Sequence, residues 1–262
     1  MKQTDRDWER WGADSPYYGV LSVSKFRRRK LDGEAEEEFF ASGEAHVSAL
    51  WAAIERREGS QWYCETAVDV GAGVGRLSLP MAARCRSVLA VDVSNSMLAA
   101  VRSHCKKNGV ANLSTAKADD TLSAVPPGRS LVHSYLVFQH VAPSRGLLML
   151  SEMADRVAED GYLAFQIYTA CNANPIIRSL VRLSYFLPPL QWGRNLLRGR
   201  GLFEPPMHLH TYPVARILRL LRLSGFSEVE LYLDSEDHGN FESVFILAKK
   251  IKSSASIINR YG

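Results

Sequence analysis

Short apolar runs recur along this chain and alternate with stretches whose apolar positions repeat at helical spacing. Residues 67–70 and 88–91 read as buried strands, a short third strand precedes residues 117–120, and residues 130–141 read as a fourth strand with its following loop. Residues 161–168 make a fifth. The last two, 228–233 and 241–248, pair as an antiparallel hairpin. Between them the spacing predicts helices from the turn after residue 75 to about Arg84, from Ser94 or Asn95 onward, over 144–158, and over 214–226 with Gly225 past the end. Before the first strand, Phe39, Phe40, Val47, Leu50, Trp51 and Ile54 form an apolar stripe on one or two amphipathic helices. Residues 11–18 (WGADSPYY) read as a turn carrying aromatic residues. Strands alternating with helices predict an α/β fold with a mostly parallel sheet.

The stretch from Ala67 to Asp92 organises the rest. A buried strand, a turn with Gly71, Gly73 and Gly75, a helix and a second strand closed by Asp92 make a βαβ nucleotide-binding unit. Glycines are needed where a chain leaves a strand for a helix with unusual backbone angles and where a ligand lies against backbone. Asp92, at the carboxyl end of the second strand, can accept hydrogen bonds from both hydroxyls of a ribose. A dinucleotide fingerprint, GxGxxG, would put its third glycine where this chain has Arg76; here it comes one residue early, which argues against a dinucleotide.

Asp69, Gly71, Gly73, Gly75 and Asp92 together resemble the cofactor-binding region of the class I S-adenosylmethionine-dependent methyltransferases. The resemblance covers roughly residues 65–250. It implies a Rossmann-like, seven-stranded, mostly parallel sheet with a final antiparallel hairpin. An N-terminal helical cap over 1–60, a methyltransferase domain over 61–250 and a frayed tail over 251–262 complete the expected organisation. It also implies S-adenosylmethionine as cofactor, with Asp69, Gly71, Ala72, Gly73 and Gly75 at its methionine end, Asp92 at the ribose, Met97 near the adenine, and Val93 and Phe138 also among the cofactor-binding residues. An acid after the third strand matches the position that hydrogen-bonds the adenine amino group; spacing does not separate Asp119 from Asp120.

Ligands in open α/β sheets sit beyond the carboxyl ends of the strands, so Phe138, Gln139 and His140 should face the pocket. The segment looks like the Phe-Gln-His-Ile/Val stretch of bacterial methyltransferases that act on small molecules or sugars. It lacks the Asn/Asp-Pro-Pro-Tyr/Phe motif of exocyclic-amine nucleic-acid methyltransferases and the Pro-Cys or Thr-Cys nucleophile of the C5-pyrimidine type. His140 is the candidate base for a hydroxyl acceptor, or else a histidine that shapes the pocket through backbone hydrogen bonds. An insert over 171–212 follows the fifth strand, where such inserts form a substrate-side wall or lid. His208, His210 and Tyr212 alternate within it and would share one face of an extended segment, the alternative being a surface turn. His238 falls in the loop of the closing hairpin, near the pocket or on the opposite rim. Tyr17 and Tyr18 either pack the cap on the core or form part of a lid.

Composition changes little. The 262 residues suit one α/β domain with a cap and an insert, the net charge of +4 is mild, and four dispersed cysteines suggest neither a disulfide framework nor a zinc site. The polar start and the lack of a membrane-length apolar run make a cytoplasmic protein the expectation. The basic run 27–30 and the acidic run 34–38 are expected to pair with each other on the surface. No metal is expected: Gln-His follows the fourth strand where clustered carboxylates would serve, and a site from His140, His208, His210 and His238 needs three loops to converge. The expected function is O-methylation of a small molecule, a sugar or secondary metabolite. The alternatives are an RNA methyltransferase or binder, from Arg178, Arg182, Arg194, Arg198 and Arg200, and a membrane- or carrier-associated module, from the apolar and cationic residues 176–190.

Overall fold

The computed structural model describes residues 2–197, 201–233 and 239–251. Arg198, Arg200, His238 and the tail from 252 onward lie outside the described residues. The chain begins with helices α1 (Gln3–Asp14) and α2 (Pro16–Val20). The aromatic segment 11–18 is thus helical on both sides of a break rather than a turn. The break falls at Ser15, whose backbone (φ −153°) leaves the helical region because Pro16 follows it. The stripe predicted for one or two helices lies on a single helix, α3 (Gly33–Glu58), capped by the Asp32 carboxylate accepting the Ala35 N–H at 2.8 Å and ended by Gly59 at φ +67°.

The sheet then builds as β1 (Cys64–Val70), α4 (Ser78–Ala82), β2 (Cys85–Asp92), α5 (Asn95–Asn108), β3 (Leu113–Lys117), β4 (Arg129–Ser134), α6 (Pro143–Arg156) and β5 (Val157–Cys171). The insert supplies α7 (Pro175–Phe186) and α8 (Pro188–Leu197), and α9 (Val214–Leu223), β6 (Phe226–Leu233) and β7 (Phe241–Lys250) close the domain. Strand order is β3-β2-β1-β4-β5-β7-β6, parallel from β3 to β5, with β7 antiparallel to both β5 and β6. This is the seven-stranded sheet with an antiparallel closing hairpin that the pattern predicts. Helix α4 is shorter than predicted: Gly71, Gly73 and Gly75, at φ +78°, +54° and +89°, keep the chain in a turn through Gly75, and the regular helix runs only from Ser78 to Ala82.

Side chains alternate between two helical layers, as the pleat requires. Val68, Val132, Leu163 and Ile246 pack on one face with α6 and α9, through Leu150, Met153, Ile217 and Leu221. Ala67, Leu131, Tyr162 and Leu247 pack on the other with α3 and α4, through Leu50, Ile54 and Met81. Burial on both faces explains why the strands read as near-continuous apolar runs.

The basic and acidic runs do not simply pair with each other. Glu38 pairs with Lys25, which lies outside the basic run, and Arg27 reaches across to Glu204 of the insert, at 3.2 Å from Nη2 to Oε2. That contact ties the cap to the insert. Helix α3 in turn lies so close to the glycine turn that a Cβ on Gly43 would stand 2.1 Å from the Arg76 carbonyl oxygen. Gly43→Ala is therefore expected to lose a net 1–3 kcal/mol, roughly, despite the better helix propensity of alanine. Calorimetry should show a midpoint lower by roughly 2–4 °C per kcal/mol; an unchanged midpoint would show that α3 can retreat from the turn.

Candidate active site

The carboxyl ends of β1, β2 and β4 open into a cleft of about 900 Å³, its open mouth included. Its floor is the glycine turn. Gly71 and Ala72 donate their N–H groups to the Val91 carbonyl at 2.8 and 3.1 Å, which laces the turn to the end of β2. No side chain fits there: a Cβ on Gly71 would meet Val137 at 2.3 Å, and one on Gly73 would meet Val20 at 2.5 Å. Gly71, Gly73, Val93 and Met97 all line the cleft.

Asp92 lines it too, and is almost fully buried. One carboxylate oxygen accepts the Gly73 N–H at 2.9 Å, the other the Ser94 N–H at 2.8 Å. Burial pushes this carboxyl up to about 6 against the pull of those two N–H groups, with the Asp69 and Glu9 charges adding to the rise. Ser94 caps α5 by accepting the Met97 N–H at 3.2 Å. Glu9 of α1 accepts the Asn95 and Ser96 N–H groups at 2.6 and 3.2 Å, which docks α1 on the first turn of α5.

The two acids after β3 have different surroundings. The Asp119 carboxylate closes its own turn by accepting the Thr121 and Ser123 N–H groups, both at 3.0 Å, and the Ser123 hydroxyl and N–H hold it down to about 2. Asp120 pairs with Lys2 and with Arg145, whose guanidinium also holds Asp5 of α1 at 2.7 Å. Both line the cleft. Arg145 thereby ties α1 to the turn after β3.

Asp69 is buried behind the turn and is not among the lining residues. It accepts the Ser78 hydroxyl at 2.6 Å and lies 3.2 Å from His133 Nδ1, while His133 Nε2 is 3.0 Å from His46 Nε2. An Nδ1–H donated to Asp69 leaves the other nitrogen of His133 to accept from His46. Burial, then the nearby His133 and Arg76, hold His46 well below the ordinary histidine range. Ala72 and Gly75 complete the turn without lining the cleft.

His140 ends a single 3₁₀ turn after β4 (Phe138–His140) and lines the cleft. Its Nδ1 is 2.9 Å from the His208 carbonyl oxygen, so Nδ1 carries the hydrogen and Nε2 keeps its lone pair. Burial, chiefly, pushes this histidine down to about 4, so it is neutral near pH 7. Its ring sits edge-on to Trp8 at 4.9 Å.

The other sequence-predicted residues stand further back. Phe138 packs in the core between Phe165 and Tyr212, and the Gln139 carbonyl accepts the His210 N–H at 2.8 Å. Tyr212 is buried with its hydroxyl donating to the Val141 carbonyl at 2.7 Å. His208 and His210 lie on one side of the segment, rings nearly parallel at 6.2 Å, outside the cleft lining. Tyr17 turns to Glu36 and Phe39, Tyr18 to Trp11 and Arg27; it is their neighbours Gly19 and Val20 that reach the cleft. Sequence reasoning missed Thr4, Asp5 and Trp8 of α1, Leu136 and Val137 after β4, and Arg145 and Met149 of α6. The helical spacing of Thr4, Trp8 and Trp11 was the available signal. Among the described residues, no three His, Cys, Asp or Glu side chains are grouped so as to hold a metal ion.

Residues 67–161 match the family described as "Methyltransferase domain". The chain carries a methyltransferase domain. The fold of this chain is similar to that of magnesium protoporphyrin IX methyltransferase from Synechocystis PCC 6803 with bound S-adenosylmethionine, at TM-score 0.59 and 16% identity, over 95% of this chain and 98% of that one. It is also similar to the N-methyltransferase NodS from Bradyrhizobium japonicum WM9 in complex with S-adenosylhomocysteine, at TM-score 0.56 and 13% identity, over 96% and 100% of the two chains. A curated relative, 23S rRNA (uracil(1939)-C(5))-methyltransferase RlmD of Marinomonas sp. (strain MWYL1), is 31% identical over 111 residues, 42% of this chain. The chain spans about a quarter of that relative's length (24%). The domain's glycine turn, with no room for a Cβ at Gly71 or Gly73, and the carboxylate of Asp92 beside it fit a nucleoside cofactor.

Proposed function

We propose that this chain methylates a hydroxyl group of a small molecule, of the sugar or secondary-metabolite class, using S-adenosylmethionine held on the glycine turn. Bound there, the cofactor supplies a methyl group on a sulfonium. Gly71 and Gly73 would take its methionine end, Asp92 the ribose hydroxyls, and Val93, Met97 and the Asp119–Asp120 wall the adenine.

The observation that carries the hydroxyl reading is the state of His140. A neutral ring whose Nδ1–H is committed to the His208 carbonyl has one vacant lone pair, on Nε2, with which to accept and orient an O–H. An alcohol that gains a methyl group becomes a strongly acidic oxonium, so even a base held down to about 4 can take its proton late in the transfer. A methylated amine is far too weakly acidic to surrender its proton to such a ring. The cleft, roofed by α1 through Thr4, Asp5 and Trp8, supports a small acceptor, since side chains from several elements border it and can align the reacting groups.

A C5-uracil route, the chemistry named for the rRNA relative, needs a thiolate nucleophile at the acceptor. Cys64, Cys85 and Cys105 are buried in the core, and Cys171 ends β5; none lines the cleft. Methyl-labelled S-adenosylmethionine tests the proposal, with pooled hydroxylated small molecules and total RNA as competing acceptors. The expected label is a base-stable ether in the small-molecule fraction. Label in acid-precipitable RNA or in an amine would overturn it.

A further inference from the structure

The insert between β5 and α9 presents an apolar face to solvent. On α7, Ile176, Leu180 and Leu183 share one side at helical spacing, Leu187 continues the line past the helix end, and all four are exposed, Ile176 at 70% and Leu180 at 61%. Helix α8 adds Leu190, Trp192, Leu196 and Leu197, the last at 90%. An amphipathic helix in a globular domain normally turns this stripe inward. Here the described residues leave it uncovered, and a contiguous patch of this kind marks an interaction surface.

Charge decides what covers it. Between Asp160 and Glu204 the chain has five arginines and no aspartate, glutamate or lysine. A second copy of the chain is disfavoured, because a self-complementary interface would bring arginine against arginine with no acid in the insert to answer it. RNA is disfavoured because phosphate recognition has no use for an outward row of leucines. An apolar face on a segment whose sequence is cationic and free of acid matches an anionic lipid surface, where the leucines enter the acyl boundary and the net positive charge of the segment favours the anionic headgroups. No described helix is long and apolar enough to cross a membrane, so the contact is one of lying on the bilayer.

We infer that the insert docks this protein on an anionic lipid bilayer through the outward faces of α7 and α8. The docking is independent of methyl transfer. It is anchored to the domain from its far side: after α8 the chain runs past Phe203 and Glu204, held by Arg10 and Arg27 of the cap, to His208, whose carbonyl holds His140.

The test is flotation of the whole chain with vesicles of phosphatidylglycerol mixed with phosphatidylcholine, against pure phosphatidylcholine. The wild type should float with the anionic vesicles, less at high salt, and stay behind with the neutral ones. The double variant Ile176→Glu, Leu180→Glu should bind at least about tenfold more weakly, the two side chains together being worth more than that on burial. Because both are exposed, it should keep the wild-type thermal midpoint and the wild-type shift with S-adenosylhomocysteine. Failure of the wild type to float at low salt would overturn the inference, as would equal flotation of the double variant. So would self-association that buries these leucines without any vesicle binding.

Discussion

Asp92→Asn should weaken S-adenosylhomocysteine binding by about 2–4 kcal/mol, roughly thirty- to several-hundredfold, in isothermal titration at neutral pH. The carboxylate has two oxygens, each already holding one backbone N–H of the turn and each with a further lone pair toward the cleft. Asparagine keeps one acceptor and loses the charge. The folded chain should suffer much less than the complex, since one of the two N–H groups keeps its partner. The wild-type affinity should also depend on pH in a defined way. Free Asp92 sits at about 6, and the ionised form is the one that accepts both ribose hydroxyls, so binding drives a proton off. Affinity should be flat above about pH 6 and fall about tenfold per unit below it, and the asparagine variant should be flat across that window. Wild-type affinity in the variant, or no pH dependence in the wild type, would remove Asp92 from the ribose.

His140→Ala should lower kcat by about a hundred- to ten-thousandfold while leaving S-adenosylhomocysteine affinity nearly unchanged. A merely structural histidine would change cofactor affinity or stability instead. The pH profile separates the two further. With cofactor saturating, the wild-type kcat should show no acid limb near 6.5, because burial has moved His140 down to about 4. Stability carries the complementary sign. The unfolded chain takes up this proton near the ordinary histidine value and the folded chain only near 4, so the contribution is complete above about 6.5 and lost as pH falls through about 4. The alanine variant should accordingly lose less stability than the wild type over that acid range, read by denaturant titration at several pH values.

The cap shows how an element can be legible while its purpose is not. The apolar stripe of α3 follows from spacing alone, and Phe39, Val47, Leu50, Trp51 and Ile54 are all buried on it. Nothing in that spacing tells that Gly43 must let α3 approach the Arg76 carbonyl, or that Tyr17 and Tyr18 turn away from the cleft while Gly19 and Val20 reach it. Asp119 and Asp120 are alike in sequence. Only the position of Arg145, 25 residues beyond Asp120, gives one of them a salt bridge to α6, through a guanidinium that also holds Asp5 of α1, and leaves the other to close its own turn.

By itself the sequence determined the strands, their alternation with helices, the three-glycine turn, Asp92 at the end of β2 and the insert after β5. Each of these is written in local periodicity or in a residue type that only one backbone conformation requires. The tertiary structure alone decided that Asp69 faces His133 rather than the cleft, with His46 behind it from 87 residues upstream of that partner. It also decided that α1 roofs the cleft and that the apolar stripe of α7 faces outward. Those directions depend on which elements, distant in sequence, pack against one another, and a pattern of hydrophobic positions marks a face without naming what lies against it.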